Sequence, residues 1–171
     1  AVNISGAQLL RNEFIDIIND TICNSGIQCK RIRFEITESI FMENLEQINE
    51  AVKKIKNFGI KVALDDFGQG YSSLTELREL DIDAIKIDKV FIDKINKLDE
   101  NELITEEIIA AGHKLRLTII AEGVETEKQY NYLKNSGCDI IQGFYISKPL
   151  EKEEAIDFLK KHNKTQCLNN S

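Results

Sequence analysis

The sequence predicts an α/β protein built on a parallel sheet. Six short apolar runs recur along the chain, and the segments between them carry helical rather than strand periodicity. The runs are near-continuously apolar, as strands covered on both faces are. A polar side chain stands at the end of nearly every run, where parallel α/β folds place their chemistry.

The elements follow in order. The first run, Ala1–Ser5, opens the chain as a strand, and the second covers Ile32–Thr37. Leu45, Ile48, Val52 and Ile55 then recur on one face of a helix, with Gly59 as its C′ stop. The third run, Lys61–Asp65, leads into Asp66 and a glycine-rich segment, and the fourth is Ala84–Asp88. Leu103, Ile104, Ile108, Ala111 and Leu115 repeat at helical spacing, with Asp99 and Glu100 ahead of them where acids suit a helix N-terminus. The fifth run is Leu117–Glu122 and the sixth Asp139–Ile146. A last helix runs from about Lys152 to Lys161, and residues 163–171 read as a polar tail.

A βα barrel uses about 31 residues per unit, and 171 residues over six runs give about 28. The rhythm suits a barrel short of two units. An open doubly wound sheet of six strands meets the same count, so periodicity leaves both topologies open.

Composition removes other classes. A net charge of −7 provides no basic stripe for a nucleic-acid polymer. No apolar run approaches a membrane span, and no signal-peptide pattern opens the chain. Cys23, Cys29, Cys138 and Cys167 lack a C-x-x-C layout, so reduced thiols in a cytoplasmic setting are expected rather than a zinc site or a disulfide framework.

The polar ends decide between the topologies. Asn3, Glu35, Asp65 with Asp66, Lys86, Glu122 and Gln142 would form a ring at one mouth of a barrel, where active sites lie. Carboxylates and an amide oxygen are hard ligands suited to Mg²⁺ or Mn²⁺. Adjacent acids can bridge two such ions and so clamp the attacking and leaving oxygens at phosphorus. Each position also has a plainer reading: Asn3 as a helix cap, Glu35 as a solvated strand residue, Lys86 as a buried partner of Asp88. Glu122 could likewise cap the turn at Gly123, and Gln142 could be a satisfied core amide.

Six ordered segments carry a resemblance. They are Asn3-Ile4-Ser5, Phe34-Glu35-Ile36-Thr37-Glu38-Ser39, Asp65-Asp66-Phe67-Gly68-Gln69-Gly70-Tyr71-Ser72-Ser73-Leu74, Ile85-Lys86-Ile87-Asp88, Ala121-Glu122-Gly123-Val124-Glu125-Thr126 and Gln142-Gly143-Phe144. In this order they resemble the EAL domain family, bacterial phosphodiesterases specific for cyclic di-GMP. The resemblance implies a modified TIM barrel with one antiparallel strand, here incomplete and lacking roughly its first two strand-helix units, with residues 1–162 as a partial EAL domain. It implies that Asn3, Glu35 and Asp65 hold a first Mg²⁺ or Mn²⁺ ion. Asp65, Asp66 and Glu122 would hold a second, with Asp65 shared. Lys86 matches the lysine that contacts the attacking water, and Gln142 the glutamine nearby, so Lys86, Glu122 and Gln142 are the catalytic candidates. Glu38 matches the acid that anchors the loop after the paired aspartates, which includes Gly68 and Ser72. Glu125 matches an acid of the rim.

The implied reaction is two-metal hydrolysis of cyclic di-GMP to linear pGpG. The family's Glu-Ala-Leu segment, which supplies a further first-metal ligand, lies upstream of the position of Asn3 and is not in this sequence. Weak or absent hydrolysis by this chain alone is the corresponding expectation. A non-catalytic cyclic di-GMP receptor is the alternative reading. A third is a fragment that dimerises across unpaired strand edges. The expected partners are cyclic di-GMP, a second copy in a homodimer, and an upstream sensor or GGDEF domain in a cytoplasmic signalling protein.

Overall fold

Each apolar run forms a strand, and every strand pairs in parallel with the next one along the chain. The computed structural model describes residues 1–11, 13–42, 44–68, 74–97 and 103–168. The strands are β1 (Val2–Asn3), β2 (Arg33–Thr37), β3 (Lys61–Phe67), β4 (Ala84–Ile87), β5 (Thr118–Ala121) and β6 (Ile140–Ile141). They lie side by side in the order β1-β2-β3-β4-β5-β6. A doubly wound sheet reverses its strand order at a switch point, and this sheet does not, so its winding is that of a barrel. Among the described residues the edge strands are β1 and β6, so these six strands form an open sector of a barrel. The antiparallel strand implied by the resemblance is not among these six.

Eight α-helices are described, besides 3₁₀ turns at Cys29–Arg31 and Glu38–Met42: α1 (Gly6–Leu9), α2 (Phe14–Ser25), α3 (Leu45–Asn57), α4 (Leu74–Glu79), α5 (Lys89–Lys94), α6 (Thr105–Lys114), α7 (Glu127–Asn135) and α8 (Lys152–Leu168). The α3 helix shows why the chain folds as it does. Asn44 caps it by accepting the Gln47 amide, and Ile48, Ala51, Val52 and Ile55 form its buried stripe. Gly59, at φ +84°, then turns the chain into β3.

Alternation along the strands divides the apolar residues into two sets. Phe34, Ile36, Val62, Leu64, Ile85, Ile87, Ile119 and Ala121 face the helices within the main core. Ala63, Ala84 and Ile120 form a small separate cluster on the opposite, inner face. At the opening end of β3 and β5, Asp83 accepts the Val62 amide and Asp139 accepts both the Ile119 amide and His113 Nε2. Cys29 and Cys138 are free thiols. Among the described residues, no helix is long and apolar enough to cross a membrane.

Several boundaries differ from expectation: the first run narrows to Val2–Asn3, and β3 continues through Asp66 to Phe67. The sixth run narrows to Ile140–Ile141 because the chain turns at Gly143, and the Tyr145 and Ile146 amides donate back to Val124 and Gly143. The α6 helix starts at Thr105, after Leu103 and Ile104, and its first-turn acids are Glu106 and Glu107. Asp99 and Glu100 lie outside the described residues. The last helix continues past Lys161 to Leu168.

Gly143 is where backbone meets backbone. A Cβ there would fall on the amide and carbonyl of Val124, which is fully buried and cannot move aside. Gly143→Ala is expected to destabilise the fold by about 1–3 kcal/mol, measured by urea denaturation. A change below about 0.5 kcal/mol would contradict this close approach.

Candidate active site

Parallel strands in sequential order bring their C-terminal ends to one rim, and register decides which side chains meet there. Asn3 pairs with Glu35, Glu35 with Ala63, and Lys86 with Ile120. Counting in twos sets Asn3, Glu35, Asp65 and Lys86 on the inner face, the same face as Ala63, Ala84 and Ile120. Glu122 and Gln142 come one step after β5 and β6, held by Glu122 N–H to Ile87 O and Gln142 N–H to Ala121 O.

At the centre is Lys86, only 4% exposed. Its Nζ lies 2.8 Å from Glu35 Oε2, 3.0 Å from Asp65 Oδ2 and 2.8 Å from Glu122 Oε1. An ammonium has three N–H donors, and each here has a carboxylate. Burial pulls the Lys86 pKa down, but its hydrogen bonds to Glu122, Glu35 and Asp65 outweigh this and raise the value above the ordinary 10.5. Glu122 is pushed up, because burial and the nearby Asp65 and Glu35 charges exceed the relief from Lys86. The plainer readings of Glu35 and Glu122 therefore fail: neither is merely a solvated strand residue or a turn cap.

The paired aspartates depend on a β-bulge. Leu64 pairs with Ile85 and Phe67 with Ile87, so two residues of β3 stand where β4 has one. Asp66 absorbs the extra residue at φ +57°, a left-handed conformation that aspartate tolerates better than most residues. An unbulged strand would point Asp65 and Asp66 to opposite faces. Here Asp66 reaches Asp88 and feels Asp65 and Lys86. Burial, then repulsion from Asp65 and Asp88, raises its pKa. Asp88, which the sequence offered as a partner of Lys86, is buried, caps α5 by accepting the Val90 amide at 2.6 Å, and lies close enough to Asp66 to raise that residue's pKa. Its signal in the sequence is an acid directly before a helix.

The remaining candidates surround this centre. Glu38 is buried at 2% exposure, and its Oε2 accepts the Gly68 amide at 3.1 Å. Gly68 has φ +107°, and a Cβ there would lie 2.5 Å from the Phe91 ring, so α5 seats directly on the start of the loop. Glu125 is exposed and pairs with Lys89 at 2.9 Å, and the Lys89 stem crosses Gly123. Asn3 and Gln142 are exposed at the two edges of the sheet. Asn3 is not the cap of α1, since Ser5 caps it in a reciprocal pair with Gln8, and the exposure of Gln142 rules out a core amide. Ser72 lies outside the described residues.

Among the described residues, no group of three or more His, Cys, Asp or Glu side chains is spaced to hold a metal ion as it stands. The three acids that converge do so on the ammonium. A groove of about 400 Å³ lined by Ile95, Leu103, Lys128 and Tyr132 lies on the helical side and shares no residue with this centre.

Residues 1–149 match the model of the EAL domain. The chain is 40% identical over 159 residues to the signaling protein YkoW of Bacillus subtilis, covering 93% of this chain and 20% of that protein. It is 35% identical over 160 residues to the cyclic di-GMP phosphodiesterase NbdA of Pseudomonas aeruginosa, covering 94% of this chain and 20% of that protein. The chain thus spans about a fifth of the length of these curated relatives. The solved structure of the PaMucR phosphodiesterase in complex with c-di-GMP matches with a TM-score of 0.84 at 32% identity, covering 90% of this chain and 62% of that one.

The raised Asp66 pKa has a stability consequence. The folded chain holds the Asp66 proton more tightly than the unfolded chain, so this residue's contribution falls as pH rises above the ordinary value of 3.8. In chelator-containing buffer at neutral pH, Asp66→Asn is expected to melt at a higher temperature than the parent. The gain should fade as the pH is lowered toward 3.8. Thermal melts across that range test it, and a variant less stable at neutral pH would refute the repulsion.

Proposed function

The chain belongs to the EAL domain family, and we propose that its carboxylate rim is the two-metal hydrolytic centre of a cyclic di-GMP phosphodiesterase. The observation that carries this reading is the convergence of Glu35, Asp65 and Glu122 on one buried cation. Three carboxylates around a single positive charge leave an excess of negative charge. The ammonium stands in for a harder and more highly charged ion, and the donors are all oxygen, which suits Mg²⁺ or Mn²⁺.

In this reading Asn3, Glu35 and Asp65 hold the first ion. Asp65, Asp66 and Glu122 hold the second, with Asp65 shared. The bulge supports the assignment by bringing two consecutive aspartates to one rim. When bound, the ions supply Lewis acidity that acidifies water and neutralises charge on a phosphate.

The side chains perform the rest. Lys86 stays protonated at neutral pH, so it acts as a hydrogen-bond donor and a fixed positive charge, not as a base. Its ammonium orients the attacking water and opposes charge building on the phosphoryl oxygens. Gln142 offers its amide to the same water from the β6 edge. Glu38, through the Gly68 amide, fixes the chain just after the paired aspartates, and Glu125, through Lys89, fixes the rim after Glu122. One phosphodiester bond opens in line, giving linear pGpG. Homodimerisation, a sensor or GGDEF domain elsewhere in the protein and a bacterial cytoplasmic setting complete the proposal.

The test is chromatographic detection of pGpG after incubating the whole protein, rather than this chain alone, with cyclic di-GMP and Mg²⁺ or Mn²⁺. Lys86→Met is expected to lower kcat by about 10²–10³-fold and to leave KM nearly unchanged. Asp65→Asn should remove the response to added metal. Stable binding of intact cyclic di-GMP with Mn²⁺ present, and no pGpG, would identify a receptor instead.

A further inference from the structure

We propose that Lys86 is the resident cation of the metal-free centre, and that the first divalent ion to bind must displace its ammonium. The inference rests on the metal-centre reading above and adds a competition that the geometry demands. Lys86 holds Glu35 from the first proposed ligand set, Glu122 from the second, and Asp65, which both share. It thus engages both ion positions at once.

Asp65 makes the conflict specific. Its Oδ1 accepts the Asp66 amide at 2.9 Å, and its Oδ2 accepts Lys86 at 3.0 Å. The shared ligand therefore has both oxygens engaged before any ion arrives. The Asp66 amide is a backbone donor held at the bulge, set by the strand rather than by a side chain. Lys86 reaches Asp65 through a flexible four-carbon stem, so the lysine is the partner that yields.

Two cations drawn to the same acids repel each other, and each weakens the other's hold by the same factor. Loading and lysine release are then a single exchange. While the ammonium satisfies three acids, it has no N–H left for a water or a phosphate. Displacement returns donors to Lys86 and so arms it only when an ion is in place.

The experiment follows Mn²⁺ binding to the full chain, read from the electron paramagnetic resonance signal of free Mn²⁺. Parent and Lys86→Met are compared at one neutral pH, with circular dichroism as the folding control. The variant is expected to bind Mn²⁺ about tenfold more tightly, within the usual range of site-to-site coupling. In the parent, the ¹⁵N–¹H resonance of Lys86 Nζ should change as Mg²⁺ saturates the site. Equal or weaker binding by a folded variant overturns the inference, as does an Nζ resonance that stays unchanged through saturation. If Lys86→Met does not fold, the parent spectrum decides alone. Loss of Mn²⁺ binding in both chains would instead remove the metal-centre reading on which the inference stands.

Discussion

The structure depends on one buried ammonium shared among three carboxylates. Removing Lys86, Glu35, Asp65 and Glu122 from water separately would be costly, and they tolerate burial because each satisfies another. The contact ties β2, β3, β4 and the residue after β5 into one arrangement. It also guards register. A slip of one residue in β4 would turn Lys86 toward the helices and leave three acids without their cation. An apolar substitute of the same shape would not discriminate between registers in this way.

The bulge in β3 and the helix α5 serve that arrangement. Leu64 and Phe67 both pack outward, and the two residues between them become the acidic pair. Just beyond, Gly68 lies under Phe91 while its amide binds Glu38. Asp88 caps the same helix that carries Phe91, and its charge acts on Asp66. The conformation of the acidic pair is thus set from the strand side by pairing and from the helix side by a cap and an aromatic ring.

Much of this was legible in the chain. The strand positions follow from apolar runs, α3 from its stripe and Gly59, and the inner face from alternation around Glu35 and Lys86. The choice of barrel winding was not available from periodicity, because repeat length does not say which strands become neighbours. The bulge was partly legible, since Leu64 and Phe67 are three apart where an even strand would space outward residues by two. The partners of Lys86 were not. Sequence proximity favoured Asp88, whereas the contacts come from residues 51 and 21 positions earlier and 36 later, which only the parallel register brings together. The end of β6 was overestimated because Phe144, Tyr145 and Ile146 are apolar but exposed, so hydrophobicity there did not mean burial.

Strand order has a further consequence. Each strand neighbours the one that follows it in the chain, so the sheet is assembled from short-range pairings. The cooperative unit is centred on β2 to β5, where pairing is longest and burial deepest. Asn3 lies in the two-residue β1 and Gln142 one step past the two-residue β6, and these end strands have the least holding them. The ring of polar groups is therefore graded in stiffness. Its middle, which carries the fixed charge, is as rigid as the core, and its two amide ends are the parts that can adjust to whatever enters.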